Sequence, residues 1–313
     1  MICHPFDKDE TMKSHVPLIV AILSMLFLLP GGMIPAAFAD SLSDKACQRL
    51  VEAGWRPEMA EAIVAHVTRC QGRVIAVFDH YNTLVSGDIT EGNGKSQPGL
   101  SLEMLEKGQF RKPLGVTIPR SFKNNLREFY HDWAKHNPRE AYAWICTMFA
   151  GFPESEIVQM AETYYAARLQ PFIFPEMKRL VQVLQTLGVE VFIVSASAEP
   201  LVRAAAKWFG LPESRVHGVK LSLKDGIIQP RVRKPISFAE GKTDYIQTFL
   251  GPIPKGNLLV FGDSWRTDGH MLRYSTRQGG FSLLVNPSPE LIPTLDQHGV
   301  HYFTFPSKSL LDR

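Results

Sequence analysis

The chain has 313 residues, of which 45% are hydrophobic and 21% are charged, so it has the composition of a globular protein with a large apolar core. The formal net charge is only +3, and the basic residues are scattered rather than gathered in long runs. This charge gives no support to a nucleic-acid-binding function, and we expect no nucleic acid partner.

The N-terminal segment, residues 1–39, has the pattern of a signal peptide. A charged start precedes an apolar run at residues 16–29, and an Ala-Phe-Ala cleavage signal ends at Ala39. A membrane anchor is the competing interpretation, but the run is shorter than the ~20 residues that span a bilayer. We therefore predict cleavage after Ala39 and a periplasmic or secreted protein without a stable membrane anchor, whether translation starts at Met1 or at Met12.

Two cysteines lie in the segment that follows the predicted signal peptide. Residues 40–71 predict an N-terminal helical hairpin, with Cys47 and Cys70 on either side of the helix-breaking Gly-Trp-Arg-Pro sequence. Export to an oxidising compartment favours a disulfide between them, and two buried thiols are the alternative. Cys146 stands among aromatic residues and is predicted to lie in the core.

The remaining chain predicts an α/β protein with a helical insertion. Residues 72–88 and 175–313 form the predicted core, and residues 89–174, mostly helical in pattern, form the predicted cap. Because strands alternate with helices after the cap, we expect a doubly wound parallel sheet whose site lies at the strand C-termini. The predicted strands are residues 74–78, 189–197, 257–264 and 281–287, the predicted helices are 175–188, 198–211 and 240–251, and 219–232 is a predicted hairpin.

Polar residues stand at the predicted ends of these strands and at one helix start. They are Asp79, Ser195, Lys242, and the pair Asp263 and Asp268. A carboxylate can attack phosphorus and form an aspartyl-phosphate, with Mg²⁺ held by carboxylates to offset the charge repulsion. A lysine and a hydroxyl would then neutralise and hold the phosphoryl oxygens. The set predicts transfer of a phosphoryl group from a small phosphorylated substrate.

The four motifs FDHYNTL, IVSAS, EGK and GDSWRTD, in this order, resemble those of the haloacid dehalogenase superfamily. The resemblance spans residues 74–287, and the helical insertion is similar to the family's first (C1) type of cap on its Rossmann-like core. Within the superfamily, the IVSASAEPLVRAAA stretch is most similar to the phosphoserine-phosphatase-like and phosphorylcholine-phosphatase-like branch.

The resemblance implies a role for each of these residues. Asp79 would be the nucleophile and a Mg²⁺ ligand, and Asp263 would be a second ligand. Asp268 would ligate the metal or orient its waters. Ser195 and Lys242 would bind the phosphoryl group and balance its charge. Asn82 and Thr83 would shape the loop after the nucleophile, and Thr83 would contact the substrate.

Tyr81 departs from the family pattern. The family's phosphatases have at this position an Asp that acts as general acid and then as general base. An unperturbed phenol has a pKa near ~10 and is a weak acid at neutral pH. The backbone carbonyl of Tyr81 would still ligate Mg²⁺, and His80 is one candidate for a substitute acid.

Three functions stay open from the sequence. The favoured one is a Mg²⁺-dependent phosphatase for a small phosphomonoester, with catalysis weakened at Tyr81. The second is a non-catalytic protein that binds a phosphorylated ligand in the same pocket. The third is a dehalogenase-type hydrolase, which would explain the tyrosine but not the two carboxylates of GDSWRTD. The aromatic residues of the cap have core spacing, and a cage for a quaternary ammonium is the less favoured interpretation. These aromatic residues are Phe129, Tyr130, Trp133, Tyr142, Trp144, Phe149, Tyr164 and Tyr165.

Overall fold

A computed structural model describes residues 36–93 and 98–306. The chain divides into two compact units, residues 1–42 and 43–313, and the strands all belong to the second. The α-helices of the described residues are α1 Ala36–Glu52, α2 Pro57–Arg69, α3 Leu100–Glu106, α4 Leu126–His136, α5 Pro138–Thr147, α6 Glu154–Tyr164, α7 Pro175–Thr186, α8 Glu199–Val202, α9 Glu240–Phe249, α10 Trp265–Arg277 and α11 Ile292–Gln297. The strands are β1 Ile75–Phe78, β2 Glu190–Ala198, β3 Val216–Val219, β4 Leu221–Lys224, β5 Ile227–Val232, β6 Leu258–Gly262, β7 Phe281–Val285 and β8 His301–Phe303.

The core of the second unit is a six-stranded sheet in the order β3-β2-β1-β6-β7-β8, in which neighbouring strands are parallel. β1 lies between β2 and β6, and Phe78 at its end pairs with Ile193 and Phe261. The chain builds the sheet outward from β1 in one direction and then from β6 in the other. The switch point of this doubly wound sheet therefore lies between β1 and β6, where such folds bind their ligands. The predicted fold class is confirmed.

Continuous apolar runs explain why the central strands are buried on both faces. Side chains alternate along β1, so that Ile75 and Val77 belong to one core cluster while Ala76 and Phe78 belong to the other. The larger cluster also contains Tyr130 from α4, so apolar packing is continuous from the sheet into the inserted helices.

The insertion between β1 and β2 contains α3 to α6 and is joined to the rest of the chain by the β4–β5 hairpin. Gly151 N donates to Ile228 O at 2.8 Å, Ile228 N donates to Phe152 O at 2.9 Å, and Glu154 N donates to Gly226 O at 2.9 Å. These backbone bonds connect the loop before α6 to the hairpin, which was predicted at residues 219–232.

Two predicted helical regions differ from the structure. Residues 198–211 were expected to form one α-helix, but α8 ends at Val202 and continues as a 3₁₀ helix, Arg203–Trp208. Its buried alanines pack beside β3, so tertiary packing overrides their α-helical propensity. The predicted cap, residues 89–174, is mostly helical in pattern, but it contains a mostly irregular stretch at 107–125, where glycines and prolines break the helix. Two strands were not predicted from the sequence, β3 and β8, which are only four and three residues long.

Cys47, Cys70 and Cys146 are free thiols. Cys70 ends α2, and its Sγ donates to His66 O at 3.2 Å, so the structure shows no disulfide closing the α1–α2 hairpin within the described residues. Cys146 is buried in the core, as predicted. Of the predicted signal peptide, residues 1–35 lie outside the described residues and the last four belong to α1. Among the helices that the structure describes, none has the length and apolarity needed to cross a bilayer.

Candidate active site

The ends of three adjacent strands bring the predicted site residues together. Asp79 follows β1, Ser195 lies near the end of β2, and Asp263 follows β6. Asp79 N donates to Phe261 O at 2.8 Å, which extends the β1–β6 ladder to the candidate nucleophile. Parallel register therefore places these three side chains at one edge of the sheet, at the switch point.

A cluster of three carboxylates lies at this edge. Asp79, Asp263 and Asp268 each offer an oxygen, and these oxygens lie within 4.8 Å of one another. Asp268 comes from the first turn of α10, which Ser264 caps by accepting from Thr267 N. A Cβ on Gly262 would lie 2.6 Å from Oδ2 of Asp268, so only glycine lets this carboxylate pack against the end of β6.

Lys242, in the first turn of α9, is fully buried against two of these carboxylates. Its Nζ donates to Oδ1 of Asp79 at 2.5 Å and to Oδ1 of Asp268 at 2.6 Å. Burial alone would lower the pKa of Lys242, but the two carboxylates raise it above its ordinary value, so the ammonium stays charged.

One lysine does not neutralise three clustered carboxylates. Burial raises the pKa of Asp79 to about 6, the ammonium of Lys242 opposes this shift, and the carboxylate of Asp268 adds to it. Burial, followed by the charges of Asp268 and Asp79, raises the pKa of Asp263 well above its ordinary range. The site thus holds an excess of negative charge on oxygen ligands, which is the donor set that suits a divalent cation such as Mg²⁺.

The three carboxylates differ in how many hydrogen bonds they accept from the protein. Oδ2 of Asp268 accepts from the backbone N–H groups of Asp263 and Ser264, both at 3.1 Å, and its Oδ1 accepts from Lys242 and Thr267. Protein donors therefore occupy both oxygens of Asp268. Asp79 and Asp263 are less fully bonded: the Oγ1 of Thr83 donates to either Asp79 Oδ2 or Asp263 Oδ1, each 3.3 Å away. This arrangement favours Asp79 and Asp263 as the direct ligands of a metal.

The carboxylates of Asp79 and Asp263 line a pocket with a volume of about 200 Å³. Ser195 lines it and is buried, with its Oγ accepting from Ser197 N at 3.3 Å. Ser237 Oγ donates to Ser195 O at 2.6 Å and so anchors the end of β2. The structure thus brings the predicted Asp79, Tyr81, Ser195, Lys242 and Asp263 together around one pocket, and Thr83 and Asp268 are hydrogen-bonded to these lining residues.

Tyr81 lies in the pocket wall and is only 5% exposed. Its hydroxyl is buried without a hydrogen-bond partner among the described residues. Burial, with a further contribution from the carboxylate of Asp88, raises the pKa of Tyr81 well above its ordinary value, so the phenol stays protonated but cannot release its proton. Tyr81 is therefore a fixed hydrogen-bond donor and not a general acid.

His80 points away from this pocket. Its Nε2 lies 3.1 Å from the Tyr165 hydroxyl, and its ring packs against the rings of Tyr165 and Phe209. Burial and the charge of Lys242 lower the pKa of His80 to about 3, so the imidazole is neutral at physiological pH. His80 cannot replace the missing acid, contrary to the hypothesis made from the sequence.

The pocket also contains residues that the motif analysis missed. Asp88, from the loop after β1, and Arg266, from α10, both line it. So does Tyr142, which was predicted to be simple core. Asp88 lies four residues after the end of the first motif, FDHYNTL, and is not part of any motif. For Tyr142 the sequence favoured a core position over an aromatic cage, because its helical spacing equals that of core residues.

Comparisons with known proteins agree with this geometry. The model of the haloacid dehalogenase-like hydrolase family matches residues 76–273. A curated relative, the phosphorylcholine phosphatase of Pseudomonas aeruginosa, is 26% identical over 262 residues, which are 67% of this chain and 74% of the relative. This relative supports the predicted branch of the superfamily.

Two solved structures support the fold alone. A protein of unknown function from Bordetella pertussis Tohama I has a TM-score of 0.58 at 18% identity, covering 74% of this chain and 99% of that one. A functionally unknown protein from Anaerococcus prevotii DSM 20548 has a TM-score of 0.56 at 18% identity, covering 80% and 95% of the two chains. The family model, by contrast, spans well over half of this chain and includes all four motifs. The chain therefore belongs to the haloacid dehalogenase-like hydrolase family.

Proposed function

We propose that this hydrolase is a Mg²⁺-dependent phosphatase that cleaves a small phosphomonoester through an aspartyl-phosphate on Asp79. The observation that supports this most directly is the position of the Asp79 carboxylate. It accepts a hydrogen bond from the buried ammonium of Lys242 and lies beside the carboxylate of Asp263, in the wall of a polar pocket. A carboxylate in such a place has a cation on one side and a metal site on the other, which is what attack on a phosphate dianion requires.

Each residue has a defined task in the first step. An oxygen of Asp79 attacks phosphorus, the new O–P bond forms, and the bond from phosphorus to the alcohol oxygen breaks. Lys242 keeps Asp79 ionised and offsets the charge of the phosphoryl oxygens. Ser195 holds one of these oxygens from the end of β2. Water then cleaves the aspartyl-phosphate and restores the carboxylate of Asp79.

The residues that would hold Mg²⁺ are Asp79, Asp263 and the backbone carbonyl of Tyr81, with Asp268 orienting the coordinated waters. When bound, the metal would neutralise charge that develops on the phosphoryl oxygens in the transition state. Thr83 helps to position the carboxylates of Asp79 and Asp263, since its hydroxyl lies 3.3 Å from an oxygen of each.

Phosphorylcholine is the first substrate to test, because the curated relative is named for it. The side of the pocket that faces the cap, here called the cap wall, has groups that suit a cationic alcohol. Tyr142 presents an aromatic ring to the pocket, and the carboxylate of Glu91 lies behind it, accepting from the Tyr130 hydroxyl at 2.7 Å. An aromatic face beside a carboxylate attracts a quaternary ammonium by cation–π and Coulomb forces.

Export is the remaining part of the proposal and rests on the sequence of residues 1–39. The protein would be periplasmic or secreted after removal of its signal peptide. Sequencing the N-terminus of the protein from the culture medium or periplasm would test this. We expect it to begin at Asp40, and a product retaining residues 1–39 in the membrane fraction would contradict the proposal.

The decisive experiment compares turnover of p-nitrophenyl phosphate with and without Mg²⁺ for the native chain and for Asp79→Asn. We expect metal-dependent turnover that the substitution abolishes. If the native chain binds phosphomonoesters but hydrolyses none of them, it is a phospho-ligand-binding protein. If it releases chloride from a 2-chloro acid without metal, the dehalogenase function is correct instead.

A further inference from the structure

The phosphatase mechanism needs a proton for the leaving alcohol, and neither neighbour of the nucleophile can give one. Tyr81 is a phenol, which is a weak acid at neutral pH, and His80 points into the core, where its Nε2 lies 3.1 Å from the Tyr165 hydroxyl. An alkoxide is a poor leaving group, so hydrolysis of an alkyl phosphate depends strongly on proton donation. Among the described residues that line the pocket, one carboxyl group lies outside the metal cluster and can supply this proton, that of Asp88.

The loop after β1 folds Asp88 back into the pocket. Asn82 adopts a left-handed conformation (φ 60°), and its Oδ1 accepts from Gly87 N at 3.0 Å. Gly87 is also left-handed (φ 98°), and Ser86 N donates to Phe172 O at 2.9 Å. The turn is therefore fixed at both ends, and it returns the chain to the nucleophile nine residues after Asp79.

The carboxyl group of Asp88 is itself held in place. Its Oδ1 accepts from Thr90 N at 2.5 Å and from Glu91 N at 3.0 Å. Thr90 in turn shares a hydrogen bond of 2.9 Å with Ser197 Oγ at the end of β2. Within the part of the chain that the structure describes, the hydrogen bonds of this carboxyl go to Oδ1, which leaves Oδ2 for the pocket.

A second observation points to a ligand at this place. The hydroxyl of Tyr81 is buried without a partner among the described residues, and Tyr81 and Asp88 line the same pocket. A donor left unpaired at this depth costs free energy unless a bound molecule accepts from it. Tyr81 and Asp88 thus converge on the side of the pocket that faces the cap, where the alcohol half of the substrate would lie.

We propose that Asp88 is the general acid and base of this enzyme, in place of the aspartate that Tyr81 replaces. In the first step, the Asp88 carboxyl gives its proton to the bridging oxygen as the phosphorus–oxygen bond breaks and Asp79 becomes phosphorylated. In the second step, the Asp88 carboxylate takes a proton from the water that attacks the phosphorus of the aspartyl-phosphate. The products are the alcohol and inorganic phosphate, and Asp88 ends the cycle protonated.

The electrostatic surroundings support this role. Burial, followed by the carboxylate of Glu91, raises the pKa of Asp88 from 3.8 to about 7, and hydrogen bonds from the Glu91 and Thr90 N–H groups moderate the shift. A group that is half protonated near neutral pH is well suited to both steps. The titratable groups that face Asp88 from other elements are Asp79, Tyr81, Tyr130, Tyr142, Cys146 and Tyr164, and Arg266 lines the same pocket.

This proposal rests on the phosphatase function above, and three substrates separate the two. p-Nitrophenyl phosphate has a leaving group that needs no proton. 3,3-Dimethylbutyl phosphate and phosphorylcholine both release alkoxides, but only the second is cationic. The full chain is mixed with each substrate and Mg²⁺ in a rapid-quench experiment, which measures the phosphorylation step. If the native chain turns over none of the three, the phosphatase function itself fails.

Asp88→Asn is the informative variant, since an amide oxygen can still accept from Thr90 N and Glu91 N while it cannot donate a proton to the substrate as an acid. We expect phosphorylation by both alkyl phosphates to slow by about 10²–10⁴-fold. The p-nitrophenolate burst should keep a rate within a few-fold of the native one, followed by slow turnover because the base is also lost. Asp225→Asn, at the exposed β4–β5 turn, is the matched control and should behave as the native chain.

Two results would overturn the assignment. Equal loss of the first step for all three substrates would show that Asp88 only maintains the pocket. Loss confined to phosphorylcholine, with 3,3-dimethylbutyl phosphate unaffected, would show that Asp88 binds the substrate's cation and transfers no proton.

Discussion

The two walls of the pocket differ in how fully their polar groups are paired. On the sheet wall, Lys242 contacts Asp79 and Asp268, and Asp268 has protein donors on both oxygens. On the cap wall, the Tyr81 hydroxyl has no partner among the described residues, and Asp88 accepts its hydrogen bonds from described residues on one carboxyl oxygen, Oδ1. The first wall is organised before any substrate binds, and the second is completed by it.

This difference separates the groups that act on every phosphoryl group from the groups whose action depends on the alcohol. The charge on a phosphoryl group is the same for every phosphomonoester, so the groups that receive it can be fixed in advance. The alcohol varies in charge and in its need for a proton, and unpaired groups facing the cap are free to meet it. Substitutions on the sheet wall should therefore reduce the hydrolysis of every substrate, while substitutions on the cap wall should discriminate among substrates.

The largest effect is expected for the nucleophile on the sheet wall. Asp79→Asn should lower kcat for every phosphomonoester by about 10⁴–10⁶-fold, because an amide cannot form the aspartyl-phosphate. Steady-state kinetics with p-nitrophenyl phosphate and with alkyl phosphates measure this, and acid-quenched protein should contain no phosphate. A variant that loses activity on one substrate only would contradict the comparison of the walls.

Lys242→Met should destabilise the fold strongly. The substitution leaves Asp79 and Asp268 buried without their cation, and breaking such a pair costs about 3–5 kcal/mol. Urea unfolding in EDTA measures the loss, and Mg²⁺ should restore part of it. Lys224→Met on the exposed β4–β5 hairpin is the control and should stay within about 0.5 kcal/mol of the native chain.

The cap wall can be examined by restoring at position 81 the carboxylate that the family's phosphatases have and this chain lacks. In the Asp88→Asn background, Tyr81→Asp should restore alkyl phosphate hydrolysis by about 10²-fold, because it supplies a new acid beside the leaving group. In the native background the same substitution should change the rate far less, since Asp88 already acts there. Comparing kcat for the two single variants and the double variant gives this result. Equal gains in both backgrounds would mean that Asp88 transfers no proton.

The effect of Asp88 on stability should depend on pH. Its pKa in the folded chain, about 7, is above the ordinary 3.8, so the folded state binds more protons than the unfolded state between these values. Stability therefore falls as pH rises through this window, and the loss is complete above pH 7. Asp88→Asn has no such loss, so its Tm relative to native should rise from pH 4 to pH 8 in EDTA, by about 2–4 °C for each kcal/mol that the native chain loses. A difference in Tm that does not change with pH would contradict the raised pKa.

The smallest effect is expected for the unpaired hydroxyl. Tyr81→Phe should leave the unfolding free energy unchanged or raise it by about 1 kcal/mol, because it removes a buried group that lacks a partner. Tyr130→Phe is the matched variant. Its hydroxyl donates to Glu91 at 2.7 Å, so it should destabilise by about 1–3 kcal/mol. If both substitutions destabilise equally, the Tyr81 hydroxyl is paired in solution.

Sequence patterns predicted the sheet well and the inserted helices less well. A long apolar run such as β2 is recognisable because both of its faces are buried, whereas β8 has three residues and one of them is exposed. The irregular stretch at residues 107–125 and the 3₁₀ helix Arg203–Trp208 follow from packing that helical periodicity does not encode.

By itself, the sequence determined the family, the sheet and the residues of the sheet wall, because a carboxylate or lysine at a strand or helix end is a local signal. Tertiary structure alone decided the rest. It showed that Lys242 pairs with two carboxylates, that His80 points into the core, and that the loop after β1 returns Asp88 to the pocket. These are contacts between residues made close by folding, and the pKa of each group is set by the burial and charges found there.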